Sequence, residues 1–504
     1  MTSDEHPLTR RRFATAIGAA AVGGWWIPKT HAAPESPTMA DFRKTFRGAI
    51  VEPGDAKFAE AVSGNLWNRL LPDRTPDLVV RAADEDDVVR AIRFARTRGM
   101  KVVVRGGGHQ WSSTSLRAGG LLLDLSGLNQ IVSIDTENRR AIVQPVVRNG
   151  EIQEAVNAHG LAFPSGHCPH AALSGYILSG GMAWNQGVWG IGADSVDAIE
   201  IVTAAGERIT ATPQDHTDHF WAARGGGFGF FGVAVRYHLR LHPLPRAIHG
   251  ATCLYTLDDA PAAADWFAAQ SRRMPRSVEL GFMLVDAPAE FQKQAASRGG
   301  KVAFVTAAAF EDSAEAARDA LQALKSCPVP ALSRREAAPM TFSELFEGSS
   351  SRWRPGLRAC VETGFSNASL GDIIRAVAPH FEKAPSPSTL IHYTVFTGSD
   401  APTQRADSAF SMFARLSGGP WTMWSDSADD AANRAWHREC VDRIRPFTSG
   451  VYIGGTDPVD RPSNTVEAFV PENWQRLSDL RDKLDPERLF YGYFDGLLAS
   501  RKRP

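Results

Sequence analysis

The chain has 504 residues, of which 43% are hydrophobic, and its formal net charge is −1. This length allows two or three domains, and the composition is that of a globular protein rather than a disordered one. Because basic and acidic residues nearly balance, no strong field attracts nucleic acid or an anionic membrane, and a small-molecule partner is favoured.

Residues 1–36 predict an export signal. Three arginines, Arg10 to Arg12, precede a mild apolar stretch from Ala14 to Gly24, and small residues follow at Ala32 and Ala33. This order is typical of a twin-arginine signal, and the apolar stretch is too short to span a bilayer. We expect a periplasmic or secreted protein with no integral membrane segment after signal removal. The alternative is a disordered basic N-terminus.

The predicted elements between Asp77 and Pro243 form one α+β unit. A helix begins at the predicted N-cap Asp86 and ends before Gly99, and another begins near Asn149. The predicted strands are Leu78–Val80, Lys101–Arg105, Leu121–Leu125, Ile131–Ile134, Ala141–Val146, Ala198–Thr203 and Val233–Leu241.

From about Arg246 the pattern changes to alternating helices and strands without glycine clusters, which indicates a separate substrate domain. The predicted helices are Pro261–Arg272, Ala314–Leu324, Gly371–Phe381, Ala432–Ile444 and Asn473–Lys483. The predicted strands are Val302–Ala307, Thr389–Phe396 and Trp421–Trp424.

A glycine-rich turn follows the strand that ends at Arg105. Three successive glycines, Gly106 to Gly108, allow close approach of the backbone and can point several N–H groups at a pyrophosphate. His109, Gln110 and Trp111 come next. The run has neither the Gly-Lys-Ser/Thr of a Walker loop nor the spacing of a Rossmann fingerprint, so by itself it could be purely structural.

A second glycine-rich stretch follows Cys168 and contains Gly175, Gly180 and Gly181. His167 and His170 flank the cysteine, but no second ligand pair completes a zinc site, and we predict no metal. The other cysteines are Cys253, Cys327, Cys360 and Cys440. An odd number leaves at least one thiol outside any disulfide, and the pairing of these four stays open.

Together these blocks resemble the berberine bridge enzyme-like branch of the vanillyl-alcohol oxidase / PCMH-type FAD proteins. The resemblance covers nearly the whole mature chain. The blocks that carry it are Val104 to Ser115, Gly166 to Gly181, Gly190 to Gly206, Asp218 to Val233 and Asn473 to Phe490.

The resemblance implies an α+β fold. A PCMH-type FAD-binding domain of two α+β subdomains is expected over 37–245, an α/β substrate domain with an antiparallel sheet over 246–455, and a C-terminal segment returning to the FAD domain over 456–504. FAD is expected to be covalent, with an 8α-histidyl bond at His109 and a 6-S-cysteinyl bond at Cys168. The expected cofactor-binding residues are Arg105, Gly106, Gly107, Gly108, His109, Gln110, Trp111, Cys168, Gly175, Gly180, Gly181 and Val202.

The implied activity is oxidation of a CH–OH or CH–NH carbon of a sugar, alcohol or alkaloid-like amine, with O₂ reduced to H₂O₂. The small Ala171, at the position that gates oxygen in the family, favours an oxidase. A flavin dehydrogenase with a quinone or protein acceptor is the alternative, and so is a non-catalytic flavin-binding protein. Tyr452 is the first candidate for the catalytic base, followed by Tyr393 and His392.

Overall fold

The computed structural model describes residues 38–400 and 407–497. The twin-arginine signal predicted over 1–36 lies outside these residues. The described chain is of mixed α+β class, which confirms the predicted class. None of its helices is long and apolar enough to cross a membrane.

The first sheet of the described chain has four strands in the order β1-β2-β4-β3. Strands β2, β3 and β4 are parallel, and β1 is antiparallel to β2. Its strands are β1 (Ala49–Val51), β2 (Leu78–Arg81), β3 (Val102–Arg105) and β4 (Leu121–Asp124). The helices of this part of the chain are α1 (Met39–Thr45), α2 (Phe58–Ser63) and α3 (Glu85–Thr97).

Helix α3 begins two residues earlier than predicted. Asp84, in an extended conformation, is the N-cap, and its side chain accepts a hydrogen bond from the backbone N–H of Asp87. The predicted cap Asp86 instead lies in the first helical turn and is exposed. Asp87 is buried and accepts hydrogen bonds from the N–H groups of Arg47 and Gly48, so it fixes the incoming chain.

The second sheet is antiparallel, and its five strands within the described residues run in the order β5-β6-β10-β8-β9. These strands are β5 (Ile131–Asp135), β6 (Arg140–Val143), β8 (Val196–Thr203), β9 (Arg208–Ala211) and β10 (Gly232–Arg240). A short pair is formed by β7 (Leu161–Ala162) and β11 (His242–Pro243). The helices are α4 (Asn149–Asn157), α5 (Leu173–Leu178), α6 (Gln186–Trp189) and α7 (Thr217–Ala223). Strand β6 is shorter than predicted, because Pro145 has no N–H to extend the ladder.

The third sheet is a large antiparallel sheet of nine strands in the described chain. Eight follow the order β15-β12-β14-β13-β18-β19-β17-β20, and β16 also pairs with β19. The strands are β12 (Ala247–Thr256), β13 (Val278–Asp286), β14 (Lys301–Glu311), β15 (Ser333–Pro339), β16 (Arg358–Val361), β17 (Gly364–Ser366), β18 (Leu390–Phe396), β19 (Leu416–Trp424) and β20 (Gly450–Val451).

In the described chain, one face of this third sheet packs against α8 (Ala260–Ser271), α10 (Ala314–Ala320), α11 (Gln322–Ser326), α13 (Leu370–Phe381) and α14 (Asp430–Ile444). The opposite face packs against α9 (Gln292–Ala295) and α12 (Phe342–Arg352). Phe267, Ile374 and Trp436 share a core with sheet residues such as Leu280 and Tyr393. The helix predicted over Ala314–Leu324 is two helices, because the backbone of Leu321 departs from helical geometry.

The C-terminal segment contains α15 (Ser463–Glu467) and α16 (Pro471–Leu484) and then returns to the first sheet. Val102 N–H donates to Leu489 O over 2.8 Å, and Tyr491 N–H donates to Val102 O over 3.0 Å. Asp485 is buried and accepts hydrogen bonds from the N–H groups of Leu489 and Phe490. The last described residues therefore extend the sheet beside β3, the strand that leads into the glycine-rich turn.

Candidate active site

A cavity of about 680 Å³ lies between the two glycine-rich loops and the face of the third sheet that the helices α8, α13 and α14 leave uncovered. One wall contains Gly106 to Gly108, His109 and Cys168. The opposite wall is formed by strand residues of the third sheet, among them Glu279, Thr306 and His392. Its size is within the range of small-molecule sites.

The first glycine turn is a backbone cradle that side chains would fill. A Cβ at Gly106 would lie 2.0 Å from Ser174 Oγ, and one at Gly107 would lie 2.7 Å from Ala172 Cβ. Gly108 has φ +67°, and its Cβ would lie 2.4 Å from Asn65 O. The buried Ser174 Oγ has no hydrogen-bond partner within the described chain. Close backbone approach and an unused hydroxyl at the cavity wall fit the phosphate and ring groups of FAD.

Arg105 holds this turn from behind rather than lining the cavity. Its guanidinium is fully buried, and Nη2 lies 2.7 Å from Asp124 Oδ2. The same group donates to the carbonyls of Ala61 and Val62 over 2.6 Å. Arg105 was predicted as a cofactor contact, but a buried guanidinium needs its partners close by, and all of them lie outside the cavity.

Three other residues that the sequence predicts as cofactor contacts, Val202, Gly180 and Gly181, are absent from the cavity lining. Val202 lies in the core of the second sheet, away from the cavity lining. Gly180 and Gly181 have positive φ, and a Cβ there would meet the rings of Phe410 and Tyr176 at 2.4 and 2.8 Å. By contrast, a Cβ at Gly175 would meet nothing within 4 Å, because this residue faces the open cavity.

Gln110 and Trp111 line the cavity as predicted cofactor neighbours. The Gln110 side-chain amide donates to Thr456 O over 3.4 Å, and its carbonyl oxygen accepts from Ser112 Oγ and the N–H of Thr114. Trp111 contacts the His109 ring edge to face, with centroids 4.9 Å apart. The turn is thereby joined to the C-terminal segment and the His109 ring is oriented.

His109 and Cys168 lie side by side, although 58 residues separate them in the chain. His109 Nε2 is 2.9 Å from Cys168 Sγ. Burial lowers the pKa of His109 to about 4, so the imidazole is neutral near pH 7. Burial raises the pKa of the Cys168 thiol, and the backbone N–H groups of His170 and Ala171 offset part of this rise.

Tyr452 lines the cavity directly after β20. Burial raises the pKa of its phenol to about 12, and the N–H groups of Met182 and Gly181 oppose the rise. The Tyr452 hydroxyl therefore lies beside the loop that follows Cys168.

His392 and Tyr393 point to opposite faces of β18, as neighbours in a strand must. His392 faces the cavity, and burial, together with the positive charges of His167 and Arg352, lowers its pKa to about 3. Tyr393 lies in the core under the helices, where burial raises its pKa. The structure therefore does not bring Tyr393 to the cavity, and its prediction as a catalytic base is not supported by its position.

Glu279 on β13 also faces the cavity, and the sequence patterns did not single it out. His167 Nε2 contacts Glu279 Oε1, while Glu279 Oε2 is buried without a hydrogen-bond partner among the described residues. His167 in turn packs against Trp184, with ring centroids 4.3 Å apart. The sequence feature that could have predicted this position is a single charge inside the apolar run Val278–Val285. A charged residue in such a strand points away from the hydrophobic core.

Comparison with known proteins shows which cofactor-binding domain the chain contains. Residues 76–212 match the model of the FAD binding domain family. The FAD-linked oxidoreductase janO of Penicillium janthinellum is 26% identical over 441 residues, covering 86% of this chain and 94% of the relative.

Two solved structures share the fold. The 6-hydroxy-D-nicotine oxidase of Arthrobacter nicotinovorans superposes with a TM-score of 0.77 at 20% identity, covering 89% of this chain and 98% of that one. Berberine bridge enzyme-like protein 1 of Physcomitrella patens gives a TM-score of 0.78 at 18% identity, with 92% and 99% covered.

The chain therefore contains an FAD binding domain, and along most of its length it is similar to FAD-linked oxidoreductases. It shares its fold with berberine bridge enzyme-like protein 1 and 6-hydroxy-D-nicotine oxidase, and this agrees with the fold that the sequence resemblance predicted. A non-catalytic flavin-binding protein would be favoured if the third sheet presented no proton acceptor to the cavity. That condition is not met, because Glu279, His392 and Tyr452 all line the cavity.

Proposed function

We propose that the protein is an oxidase in which FAD is bonded to both His109 and Cys168 and a small alcohol or amine is oxidised. Bound FAD supplies the acceptor for a hydride from a CH–OH or CH–NH carbon, and O₂ takes the electrons to give H₂O₂. The observation that carries the proposal is the 2.9 Å approach of His109 Nε2 to Cys168 Sγ at the cavity wall. Two bonds to one end of a flavin require two nucleophilic side chains next to each other.

The ionisation of this pair supports the same proposal. A neutral imidazole keeps a lone pair for bonding, and the pKa of His109, near 4, keeps it neutral over the physiological range. The Cys168 thiol has a raised pKa and needs a proton acceptor before it becomes a nucleophile. Once the other ring nitrogen, Nδ1, has bonded the flavin and Nε2 has lost its proton, His109 Nε2 is within reach to take the thiol proton.

Oxidation also requires that the substrate O–H or N–H lose a proton while the carbon loses its hydride. We assign proton acceptance to Glu279, whose Oε2 is free of partners within the described chain and whose Oε1 is held by His167. Tyr452, with a pKa near 12, is a protonated phenol at neutral pH and orients the substrate as a hydrogen-bond donor. If Tyr452 were instead the acceptor, the rate would rise with pH until about pH 12.

The choice of oxidase over dehydrogenase is supported by Ala171. This residue lines the cavity three positions after Cys168, and a methyl side chain leaves room for O₂ beside the flavin. The alternative is a dehydrogenase that passes electrons to a quinone or a protein. Turnover in air, compared with anaerobic turnover on an artificial dye, separates the two. A rate that is equal or higher in air supports the oxidase, whereas turnover only with the dye supports the dehydrogenase.

The covalent bonds are tested by acid precipitation of the purified protein, with absorption spectra of pellet and supernatant. We expect flavin colour in the pellet for the wild type and for His109→Ala and Cys168→Ala, and its loss from the pellet in the double variant. Cys360→Ala is the matched control, because Cys360 is half-buried away from the cavity. Colour released from the wild type would overturn the double attachment while leaving non-covalent FAD binding intact.

A further inference from the structure

Arg352 is the last residue of helix α12 and extends from it into the substrate side of the cavity. The guanidinium carbon lies 4.9 Å from the centre of the Phe304 ring, and Nη1 donates to Gly348 O over 2.9 Å. Nε and Nη2 make no hydrogen bond with any described residue, and they are not among the atoms sealed from solvent. Two donors of a planar, charged fork are thus available to a ligand.

Other buried arginines of this chain have compensating carboxylates. Arg105 pairs with Asp124, Arg117 is stabilised by Asp495, and Arg481 by Asp485. Burial lowers the pKa of Arg352 as well, but no carboxylate opposes that effect, and Arg352 forms no ion pair with an acid of the described residues. A desolvated cation without a counter-charge is costly in the ligand-free protein and is stabilised by an anionic ligand.

The acids around the cavity are held by other groups. Glu279 contacts His167 through one of its carboxylate oxygens. At the exposed rim, Glu336 lies 3.2 Å from Lys325, and the carboxylate of Glu344 closes the capping box of α12. None of them forms an ion pair with Arg352 within the described chain.

Indole rings lie next to this cation. Trp353 is 5.5 Å from Trp421, and Trp421 is 4.7 Å from Trp111, which contacts His109. Trp353 also contacts the edge of the neutral His392 at 5.7 Å. The indoles form an aromatic wall that extends from the flavin attachment residue to Arg352, and such walls favour flat rings.

We propose that the substrate of this cavity carries a carboxylate on a flat, unsaturated ring, with Arg352 binding the carboxylate and the wall of Trp353 and Trp421 binding the ring. The proposal rests on the proposed function, since it names the substrate class of the same site. Arginine is suited to the role because its fork binds a carboxylate through two parallel hydrogen bonds.

The test uses the flavin-loaded protein with benzoate as the probe and benzamide as its neutral isostere. Binding is measured from the change in the visible spectrum of the flavin during titration. We expect benzoate to bind the wild type at least tenfold more tightly than benzamide. Arg352→Gln should weaken benzoate binding about 100-fold and change benzamide binding little, because a buried charged partner is lost. Arg354→Gln, which removes an exposed charge two residues further on, should leave both affinities unchanged.

Equal affinity of the wild type for the two probes, or unaltered benzoate binding in Arg352→Gln, would overturn the proposal. If Arg352→Gln bound neither benzoate nor benzamide, the affinities of Arg352→Lys for the two probes are measured instead. Tighter binding of benzoate than of benzamide by Arg352→Lys supports the proposal, and equal affinities contradict it. Failure of the proposed function is distinguishable, because it appears as flavin released from the wild type by acid, as turnover only with the dye, or as wild-type protein without bound flavin. Calorimetric titration with benzoate then tests Arg352 without the flavin signal.

Discussion

The two walls of the cavity are built in different ways. The flavin wall consists of turns in which glycines bring the backbone to the surface, and its residues come from two short stretches of the chain. On the substrate wall, alternate residues along neighbouring strands of an antiparallel sheet point their side chains toward the cavity. An added Cβ at Gly106, Gly107 or Gly108 would collide with its neighbours, so a substitution there disturbs the whole turn. A substitution on the substrate wall changes one side chain and leaves the backbone in place. Substitutions should therefore have larger and less specific effects on the flavin wall.

The largest effect is expected for Gly108→Ala. Its Cβ would lie 2.4 Å from Asn65 O on a backbone with φ +67°, so the turn must move. We expect flavin content, measured as the ratio of absorbance at about 450 nm to that at about 280 nm, to fall at least tenfold. Gly160→Ala is the matched control, since Gly160 has φ +69° but open space around its Cβ position. Equal flavin content in the two variants would mean that backbone strain, not the close approach, determines cofactor binding.

A more selective effect, confined to the chemical step, is expected for Glu279→Gln on the substrate wall. Loss of a proton acceptor should slow anaerobic flavin reduction about 10²- to 10⁴-fold, measured by stopped flow with the fastest alcohol or amine from a screen. Flavin content should stay at the wild-type level. Tyr452→Phe, which removes a hydrogen bond, should cost less. If Tyr452→Phe were the slower variant, the proton acceptor would be Tyr452 instead.

The smallest effect is expected where the two walls join. Glu362 lies between β16 and β17, is buried, and accepts a hydrogen bond of 2.8 Å from the side chain of Asn464 in α15. Burial and the neighbouring Asp457 raise the pKa of Glu362 from 4.5 to about 8. The folded state therefore binds the proton more tightly than the unfolded chain, and stability falls as the pH rises from about 4.5 through 8.

Glu362→Gln removes this titration. Thermal unfolding between pH 5 and 9 should show similar stability of variant and wild type at the acid end. Toward neutral pH the variant should gain on the order of 1.4 kcal/mol per pH unit relative to the wild type. Parallel curves over the whole range would show that Glu362 does not titrate between the two states. Flavin content serves as the control that the cavity is unchanged.

The contrast between the walls also explains which site residues the sequence predicted. His109, Cys168 and the first glycine turn belong to local motifs, in which residue type and spacing encode a backbone shape. Tyr393 and His392 were equivalent as neighbours on one predicted strand, and only the packing of α13 and α14 against one face of the third sheet separates them. Glu279 and Arg352 belong to no local motif, because their function arises from strands and a helix that meet only in the folded chain.

By itself, the sequence determined the α+β class, the glycine cradle and the resemblance to FAD-linked oxidoreductases, since these depend on hydrophobic periodicity, turn chemistry and short motifs. The sequence also determined that α3 follows β2. Which of Asp84, Asp86 and Asp87 caps the helix depended on the extended backbone of Asp84. Only the tertiary structure decided that His109 touches Cys168, that Arg105 supports the turn from behind, and that Glu279 and Arg352 face the substrate. These outcomes depend on contacts across long stretches of chain, which local propensities do not encode.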